Sequence, residues 1–445
     1  MNQFKQYQAK WEQTQQQIHS IGGKGSQLVV EPPATIEQID QIENRLGYKL
    51  PESFRNVLLH YSKHVYFRWF FPDETIVPVR FREIFAGELG WNTEWIEDLS
   101  SISDDIGNGY GESLKYKLSF FMVGNGDYLC LDMNQETTPV VYWSHEEDEI
   151  YYIADSFEDY ICNATELHCV GSEVWQLDYF LTPDGLDPKS KASFDWLSWF
   201  DTLTSTKLEA ISHSVPDLLE FILVRGPVEE IMSVLNTHNP AEVFDHILIK
   251  LPDVEPKQVN ALCTAIGEVL NINAADWVRQ LWEMDVPFLN VYQRSCLTSR
   301  CLPLKEGLAL VFNYLEQTHP GRIPSPEAKQ HLVHFRSNHV IKWMLDKVTL
   351  PVNIGWDTLY AFSEPEWTDV VQWFNLEQRH QMTVLNALHL IYCKEKSNNE
   401  QLDILHKPSI PEMKNFLTQM KDKEILHNKK RIYDDIVHSL HETVK

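Results

Sequence analysis

The sequence of 445 residues lacks long apolar runs, and this absence excludes several classes of protein. No stretch approaches the roughly 18 to 20 consecutive apolar residues that a membrane-spanning helix needs. Residues 1–6 lead into glutamines rather than into an apolar segment, so we expect no secretory signal. These features favour a soluble protein of the cytoplasm over a membrane-spanning or secreted one.

Cysteine is scarce, with seven residues and no pair at C-x-x-C spacing. Cys296 and Cys301 are separated by four residues, but no histidine or second cysteine pair lies at a zinc-like distance from them. We interpret the cysteines as reduced thiols in a cytosolic protein, with a metal or disulfide role as the alternative. His331, His334 and His339 cluster in the sequence, with His331 and His334 one helical turn apart, a spacing that can bind metal. Glu327 lies one turn before His331 and could join them, but the cluster matches no known metal motif and a solvated helix face explains the same residues. We predict no metal and no cofactor.

The short motifs of the common enzyme classes are also missing. The sequence contains no G-x-x-x-x-G-K-[ST], G-x-G-x-x-G, H-E-x-x-H or G-x-S-x-G. Residues 107–111 are rich in glycine, but they lack the lysine of a phosphate-binding loop and follow Asp104 and Asp105, which would repel phosphate. We therefore predict a non-enzymatic protein, and keep an unrecognised enzyme as a third possibility.

Positive charge is scarce as well: Lys+Arg number 38 and Asp+Glu 64, a net charge of −26. Residues 1–200 hold 32 acidic and 14 basic side chains, a net −18, which leaves −8 for the remainder. Such a balance argues against unaided binding to nucleic acid or to an anionic membrane.

The imbalance is greatest in residues 118–188, here called the acidic segment, which contains 15 carboxylates and no lysine or arginine. One explanation is a solvated surface that keeps an acidic protein in solution. The other is a recognition surface for a strongly basic partner, which would relieve the repulsion among the carboxylates and accelerate association.

The distribution of glycine predicts two halves of different architecture. Thirteen of the 18 glycines lie before residue 200, and five lie in the longer remainder. Glycine collects at turns and is avoided inside helices, so the first half is predicted to be α+β and the second all-α. We place the boundary near residues 195–210 and predict two domains, 1–200 and 205–445.

Local patterns predict the elements of the first half. Phe4, Tyr7, Trp11 and Ile18 form one face of an N-terminal helix. Thr35 can cap a second helix, with Gln38 as its capping-box partner, an apolar stripe from Ile36 to Leu46 and Gly47 at its end. Leu50-Pro51-Glu52 begins a third.

Alternating apolar residues then predict an antiparallel meander. We expect strands at 119–123, 128–133, 139–144 and 150–154, with turns at 124–127, 134–138 and 146–149, followed by a helix over 157–162 capped by Asp155 and Ser156. Period two directs one of Tyr142 and Trp143 outward and the other into the core.

These blocks resemble the SUKH superfamily, which includes the fungal cell-wall assembly regulator and many bacterial immunity proteins. The resemblance rests on 35–43 with Leu46-Gly47, on 50–54 with Leu58-Leu59, on Gly126-Asp127-Tyr128-Leu129-Cys130-Leu131-Asp132, and on 139–145 with 154–160. Their order and spacing agree with the family over about residues 30–165. The resemblance implies an α+β fold with an antiparallel sheet and no catalytic residues. It also implies that bacterial members protect a cell by binding a toxin domain, frequently a nuclease.

The second half shows repeated amphipathic stripes punctuated by prolines near turn positions. Short antiparallel helices of this kind predict a bundle or an irregular solenoid of the HEAT type. The basic stretch 421–431 is interpreted as a solvated helix face, with pairing to the acidic domain as the alternative.

Together these features predict a binding protein of the immunity type, which neutralises a basic, nuclease-type toxin through an acidic surface. The alternative is a regulatory scaffold that binds signalling partners without inhibiting an enzyme. Aromatic side chains beside charged ones are typical of interface hot spots. The partner-binding residues that we predict are Asp127, Asp132, Trp143, Glu146, Glu147, Asp148, Glu149 and Tyr151.

Overall fold

The computed structural model describes residues 2–100, 111–171, 173–284, 286–348, 355–393 and 402–442. The chain divides into two compact units, Met1–Ile231 and Met232–Lys445. The first is α+β with antiparallel sheets, and the second is mostly helical, as the sequence predicted. The domain limits 1–200 and 205–445 stay a prediction. The glycine-rich stretch 107–110, with Asp104 and Asp105, lies outside the described residues.

The first unit contains helices of very different lengths, and one further helix, α9 (Glu229–Leu235), crosses the division between the units. Its helices are α1 (Asn2–Ser20), α2 (Ile36–Leu46), α3 (Glu52–His60), α4 (Phe157–Glu166), α5 (Val174–Leu177), α6 (Lys191–Ser205), α7 (Leu208–Ile211) and α8 (Val215–Arg225). Its strands are β1 (Lys24–Gly25), β2 (Val29–Val30), β3 (His64–Phe70), β4 (Ala86–Asn92), β5 (Glu97–Asp98), β6 (Lys117–Met122), β7 (Tyr128–Asp132), β8 (Val140–Ser144), β9 (Glu149–Ala154), β10 (Leu181–Thr182) and β11 (Gly185–Leu186).

Capping residues begin and end the helices where the sequence predicted. Thr35 accepts a hydrogen bond from the backbone N–H of Gln38, the Gln38 side chain bonds back to Thr35, and Gly47 ends α2 in the left-handed conformation at φ 82°. Ser156 caps α4, which continues to Glu166 rather than ending at 162. The prediction that Ile36 belongs to the buried stripe is wrong, because this residue, in the first turn of α2, is 60% exposed.

The first unit contains three antiparallel sheets: two larger ones, of which the sequence predicted one, and a two-stranded sheet of β10 and β11. The largest is the meander β5-β6-β7-β8-β9, in which the predicted strands pair in chain order. The second pairs β3 with β1 and β2 on one edge and with β4 on the opposite edge. In β3, Val65, Phe67 and Trp69 are buried and alternate with partly exposed residues, which is the pattern of a strand with one face in the core.

Both faces of the meander are covered, which corrects one expectation. Tyr142 and Trp143 were expected to point one inward and one outward, yet both are buried. Tyr142 lies in the main core, whereas Trp143 packs in a second, smaller cluster with Leu99 and Leu114. Leu99 follows β5 and Leu114 precedes β6, so residues far from β8 in the sequence cover the face of the sheet on which Trp143 lies.

The second unit consists of helices with short connections. They are α10 (Pro240–Lys250), α11 (Pro256–Ala265), α12 (Ala275–Gln280), α13 (Val291–Cys301), α14 (Leu304–Thr318), α15 (Ser325–Leu332), α16 (Asn338–Met344), α17 (Trp356–Phe362), α18 (Trp367–Phe374), α19 (Gln378–Cys393), α20 (Ile410–Lys423) and α21 (His427–Glu442). Alternate helices α13, α15, α17, α19 and α21 contact one another in succession. Such a row of alternate helices is typical of an α-solenoid. Throughout the described chain, every helix is too short or too polar to cross a bilayer.

Candidate functional site

The acidic segment contributes carboxylates mostly to exposed positions. Ten are exposed, Asp148, Glu173 and Asp187 are half-buried, and Asp127 and Asp132 are buried. In the described chain only two of the fifteen lie within 4 Å of a lysine or arginine: Asp132, which is 3.1 Å from Lys117, and Glu166, which is 2.5 Å from Lys10. Most of the negative charge is therefore not neutralised by a neighbouring cation.

Part of this charge lines a cleft of about 650 Å³, here called the acidic cleft. Its lining residues are Glu83, Asn125, Asp127, Ser144, Glu146, Glu147, Tyr151, Glu173, Val174, Trp175, Asp178 and Tyr179. Six of these twelve side chains are carboxylates and none is a lysine or arginine. A concave surface with charge of one sign focuses the electric field, so the cleft is suited to a cationic ligand.

Asp127, which lines the acidic cleft, is held by four hydrogen-bonding groups. Its carboxylate accepts from the Tyr142 hydroxyl, from the His145 backbone N–H at 2.8 Å and from Asn125 Nδ2 at 2.6 Å, and it lies 2.5 Å from His145 Nδ1. Burial to 2% exposure opposes ionisation, but these donors hold the pKa of Asp127 below its usual value. The buried carboxylate therefore stays charged at neutral pH.

Neutral hydroxyl and indole groups, rather than lysine or arginine, donate hydrogen bonds to several of these carboxylates. The pairs are Tyr142 with Asp127, Tyr151 with Glu147 at 2.5 Å, Tyr152 with Asp155, and Trp143 with Asp148 at 2.9 Å. A neutral donor fixes the position of a carboxylate without cancelling its charge. The hydroxyls are held protonated in return: burial and then the hydrogen bond to Asp155 raise the pKa of Tyr152 to about 12.

Glu173 lies in surroundings that disfavour the ionised form of its carboxyl group. Burial is the main cause that raises the pKa of its carboxyl; the hydrogen bond with Trp175 opposes the shift, and the charges of Asp127 and Glu88 add to it. Burial and, to a lesser extent, the nearby carboxylates make the ionised form of Glu173 less stable, and an incoming cation would offset that cost.

Three aromatic rings line the acidic cleft, one of them exposed and two half-buried. Trp175, which lines it, is 39% exposed and packs against Phe85, with ring centroids 6.1 Å apart. Tyr151 and Tyr179 line the cleft as well. Rings of this kind beside charged groups are typical of residues that anchor a protein partner.

The hairpin between β8 and β9 carries the remaining predicted residues. Asp148 has φ 53° and accepts hydrogen bonds from the backbone N–H of Gly111 at 2.8 Å, from Ser113 Oγ at 2.5 Å and from Trp143 Nε1. Burial opposes ionisation, but these hydrogen bonds hold the pKa of Asp148 below its usual value. Asp148 therefore anchors the hairpin to the chain that precedes β6, while Glu146, Glu147 and Glu149 remain exposed.

Four of the eight predicted partner-binding residues meet in the acidic cleft: Asp127, Glu146, Glu147 and Tyr151. Asp132, Trp143, Asp148 and Glu149 do not line it, and a role for them in binding stays a prediction. Sequence reasoning did not select Glu83, Glu173, Trp175, Asp178 or Tyr179. Glu173 and Asp178 belong to the acidic segment, so a signal existed for them, whereas nothing near Glu83 in the sequence points to this cleft.

The histidines considered as metal ligands do not gather. His331 is buried and lies 2.7 Å from Ser295 Oγ, whereas His334 and His339 are exposed. Burial lowers the pKa of His331, against the opposing charge of Glu327. Within the described ranges, no three His, Cys, Asp or Glu residues are grouped in a way that could hold a metal ion.

Comparison with known families agrees with this architecture. Residues 33–163 match the model of the SMI1 / KNR4 family (SUKH-1), which covers α2, α3 and the meander through most of α4. The match supports an immunity-type or regulatory protein. The chain has no significant match among curated proteins or among solved structures.

Proposed function

We propose that this protein is a non-enzymatic immunity protein of the cytoplasm, which neutralises a basic, nuclease-type toxin by binding it at the acidic cleft. The observation that supports the proposal most directly is a cleft of about 650 Å³ with six carboxylates and no lysine or arginine in its lining. The SUKH-1 match over residues 33–163 is the second support.

The chemistry of the cleft fits a nuclease surface. A nuclease holds the phosphate backbone with lysine and arginine side chains, so its active face is basic. Carboxylates that occupy the positions of phosphates bind those side chains and block access to nucleic acid. The complementary charges also accelerate encounter, which matters for a protein that must act before its toxin does.

Hydrogen bonds from neutral aromatic side chains make the cleft suitable for this role. Tyr142 and Tyr151 hold Asp127 and Glu147 in fixed positions while the carboxylates keep their full charge. Prearranged charges lose less entropy when a partner binds, so more of the electrostatic attraction contributes to affinity.

A regulatory scaffold is the second candidate function. The SUKH-1 match is compatible with it, and the row of alternate helices in the second unit offers an extended surface of the kind that solenoid proteins use for binding. A toxin gene adjacent to the gene for this protein favours the immunity function, and the absence of such a neighbour favours the scaffold.

Charge reversal tests the immunity function. The variant changes Glu146, Glu147 and Glu149 to lysine and leaves Asp148 intact because it anchors the hairpin. We expect it to fold normally, to lose capture of a basic partner from the producing cell, and to lose inhibition of the nuclease domain encoded nearby. For the wild type, capture should weaken steeply as salt is raised.

A matched control carries the same change of net charge elsewhere. Glu12, Asp201 and Glu209 are exposed carboxylates outside the acidic segment, and their replacement by lysine should leave capture nearly unchanged. Equal losses in both triple variants would show that net charge alone is responsible, which contradicts a specific role for the acidic cleft. Unchanged binding by the first variant at low salt removes the hairpin from the interface.

A further inference from the structure

A second cleft in the first unit is mainly apolar. It has a volume of about 670 Å³, and it is here called the aromatic cleft after Tyr66, Trp95, Phe121 and Tyr128, which line it together with Met122. Met122 is 59% exposed and Trp95 is 38% exposed. Large apolar side chains exposed around a concave surface are typical of a binding site.

A glycine creates the space between two of these rings. A Cβ atom at Gly90 would lie 3.0 Å from the Phe121 ring and 3.2 Å from the Tyr66 ring. Gly90 lies in the interior of β4, opposite Tyr66, where glycine gives a strand no side chain to pack. The absence of a side chain at position 90 therefore leaves room for both rings.

Trp95 connects the rings of the aromatic cleft. Its centroid lies 6.3 Å from that of Tyr66, with the planes at 90°, and 5.7 Å from that of Phe121, with the planes at 46°. Phe121 is buried, whereas the Trp95 ring is partly exposed, so Trp95 offers a π-face to a cation in the cleft.

The charged lining of the aromatic cleft is net negative, with two carboxylates, Glu88 and Glu97, and one arginine, Arg68. Glu97 lies at its edge, is exposed, and has no lysine or arginine within 4 Å among the residues that the structure describes. Glu88 is already engaged, since it accepts a hydrogen bond from the Tyr66 hydroxyl at 2.7 Å and lies 3.7 Å from Arg68. Burial and then the charge of Glu97 raise the pKa of Tyr128, so the field of this carboxylate reaches the aromatic lining.

The aromatic cleft and the acidic cleft are neighbours. Val123 and Gly124 line the aromatic cleft, and Asn125 and Asp127 line the acidic cleft, so one β-turn between β6 and β7 borders both. A partner that binds at the acidic cleft and extends past this turn would reach the aromatic cleft.

We propose that the aromatic cleft binds an arginine side chain of the basic partner; this inference rests on the proposed function. The guanidinium stacks on the exposed Trp95 ring and pairs with Glu97, while the aliphatic stem contacts Met122. Arginine fits better than lysine because its planar, weakly hydrated guanidinium group can stack on a ring and bind a carboxylate at the same time. The acidic cleft attracts the basic partner at long range, and the aromatic cleft discriminates its arginine from other side chains.

The experiment titrates the full chain with three capped tripeptides, Gly-Arg-Gly, Gly-Lys-Gly and Gly-norleucine-Gly. The protein carries 5-fluorotryptophan, and the fluorine resonance of Trp95 is assigned with the Trp95→Phe variant. We expect the arginine peptide to shift this resonance saturably and to bind roughly two- to fivefold more tightly than the lysine peptide. The norleucine peptide, which has no charge, should give no saturable shift.

Two variants test the contacts. Glu97→Gln should weaken the arginine peptide roughly two- to fivefold, as expected for an exposed ion pair. Met122→Ala should weaken it too, and since Met122 is exposed the variant should fold. The control Glu12→Gln should bind like the wild type.

Three results would overturn the inference: no saturable shift of Trp95, equal binding of norleucine and arginine, or unchanged binding by Glu97→Gln. No toxin is present in the titration, so its outcome is independent of the proposed function. Arginine binding without capture of any basic toxin would contradict the proposed function alone, and capture without arginine binding would contradict this inference alone.

Discussion

Trp143 donates a hydrogen bond from its indole Nε1 to Asp148 Oδ1 over 2.9 Å, so a buried ring of the sheet holds a carboxylate of an exposed hairpin. Asp148 receives two further donors, from Gly111 and Ser113. The most acidic turn of the chain is therefore attached to the fold by one of its own carboxylates.

The first prediction concerns Asp148→Asn. Asparagine tolerates the positive φ of this position, so the variant isolates the hydrogen bonds from backbone strain. One carboxylate oxygen becomes an NH₂ group that faces donors, and we expect the free energy of unfolding to fall by about 1–2 kcal/mol. Urea denaturation measures it. The neighbouring Glu149→Gln is the control and should change little, and equal stability of the two variants would contradict the anchoring role.

The second prediction concerns the buried pair of Tyr142 and Asp127. Tyr142→Phe removes a donor to a buried carboxylate, so the pKa of Asp127 should rise and the free energy of unfolding should fall by about 1–2 kcal/mol. NMR titration of the carboxyl carbon measures the first effect and denaturation the second. Tyr116→Phe, at an exposed ring, is the matched control. An unchanged pKa of Asp127 would show that the other donors suffice.

The third prediction is that Glu173→Gln makes the fold more stable but weakens binding of a basic partner. Its pKa is raised, so its ionised form destabilises the fold above that pKa, and Glu173→Gln should increase the free energy of unfolding at neutral pH by about 0.5 kcal/mol. The advantage should shrink as the pH falls through the raised folded-state pKa and vanish below the ordinary carboxyl pKa of 4.5, where the group is neutral in both the folded and the unfolded chain. Capture of a basic partner should weaken in the same variant. A loss of stability at neutral pH would contradict the argument.

The fourth prediction concerns acid sensitivity from His168. Burial lowers the pKa of this histidine from 6.5 to about 4; its ring stacks on Phe200 at 4.0 Å and lies 2.9 Å from Thr14 Oγ1. The unfolded chain binds a proton at higher pH than the folded protein, so the stabilisation is complete above pH 6.5 and is lost as the pH falls towards about 4.

The test compares wild type with His168→Asn, because asparagine tolerates the φ of 60° at this position. Between about pH 7 and about pH 4 the wild type should lose up to about 3 kcal/mol more stability than the variant. Urea midpoints at several pH values measure the difference. Parallel pH profiles would assign the acid sensitivity to other groups.

Local signals predicted much of the fold. Thr35 with Gln38, the glycine at 47 and Ser156 each act within a few residues of the helix end that they define, so their effect is visible in sequence. Hairpin turns fix the register of the meander in the same way. The sheet around β3 was missed although Val65, Phe67 and Trp69 alternate clearly, because its partner strands lie far apart in the chain.

The site was predicted in composition but not in geometry. The absence of lysine and arginine from residues 118–188 marked the acidic segment, and it supplies most of the lining of the acidic cleft. Contacts between distant segments determined the rest. Glu83 joins the cleft from outside the segment, and Leu99 and Leu114 bury Trp143 from a part of the chain that no local pattern connects with it.

The turn at Gly124–Asn125 links the shapes of the two clefts, because it borders both of them. An insertion or exchange of one or two residues there would alter both surfaces at once while leaving the core strands in place. The two clefts therefore cannot be changed independently at this turn, and a variant that alters the lining of one should be assayed at the other as well.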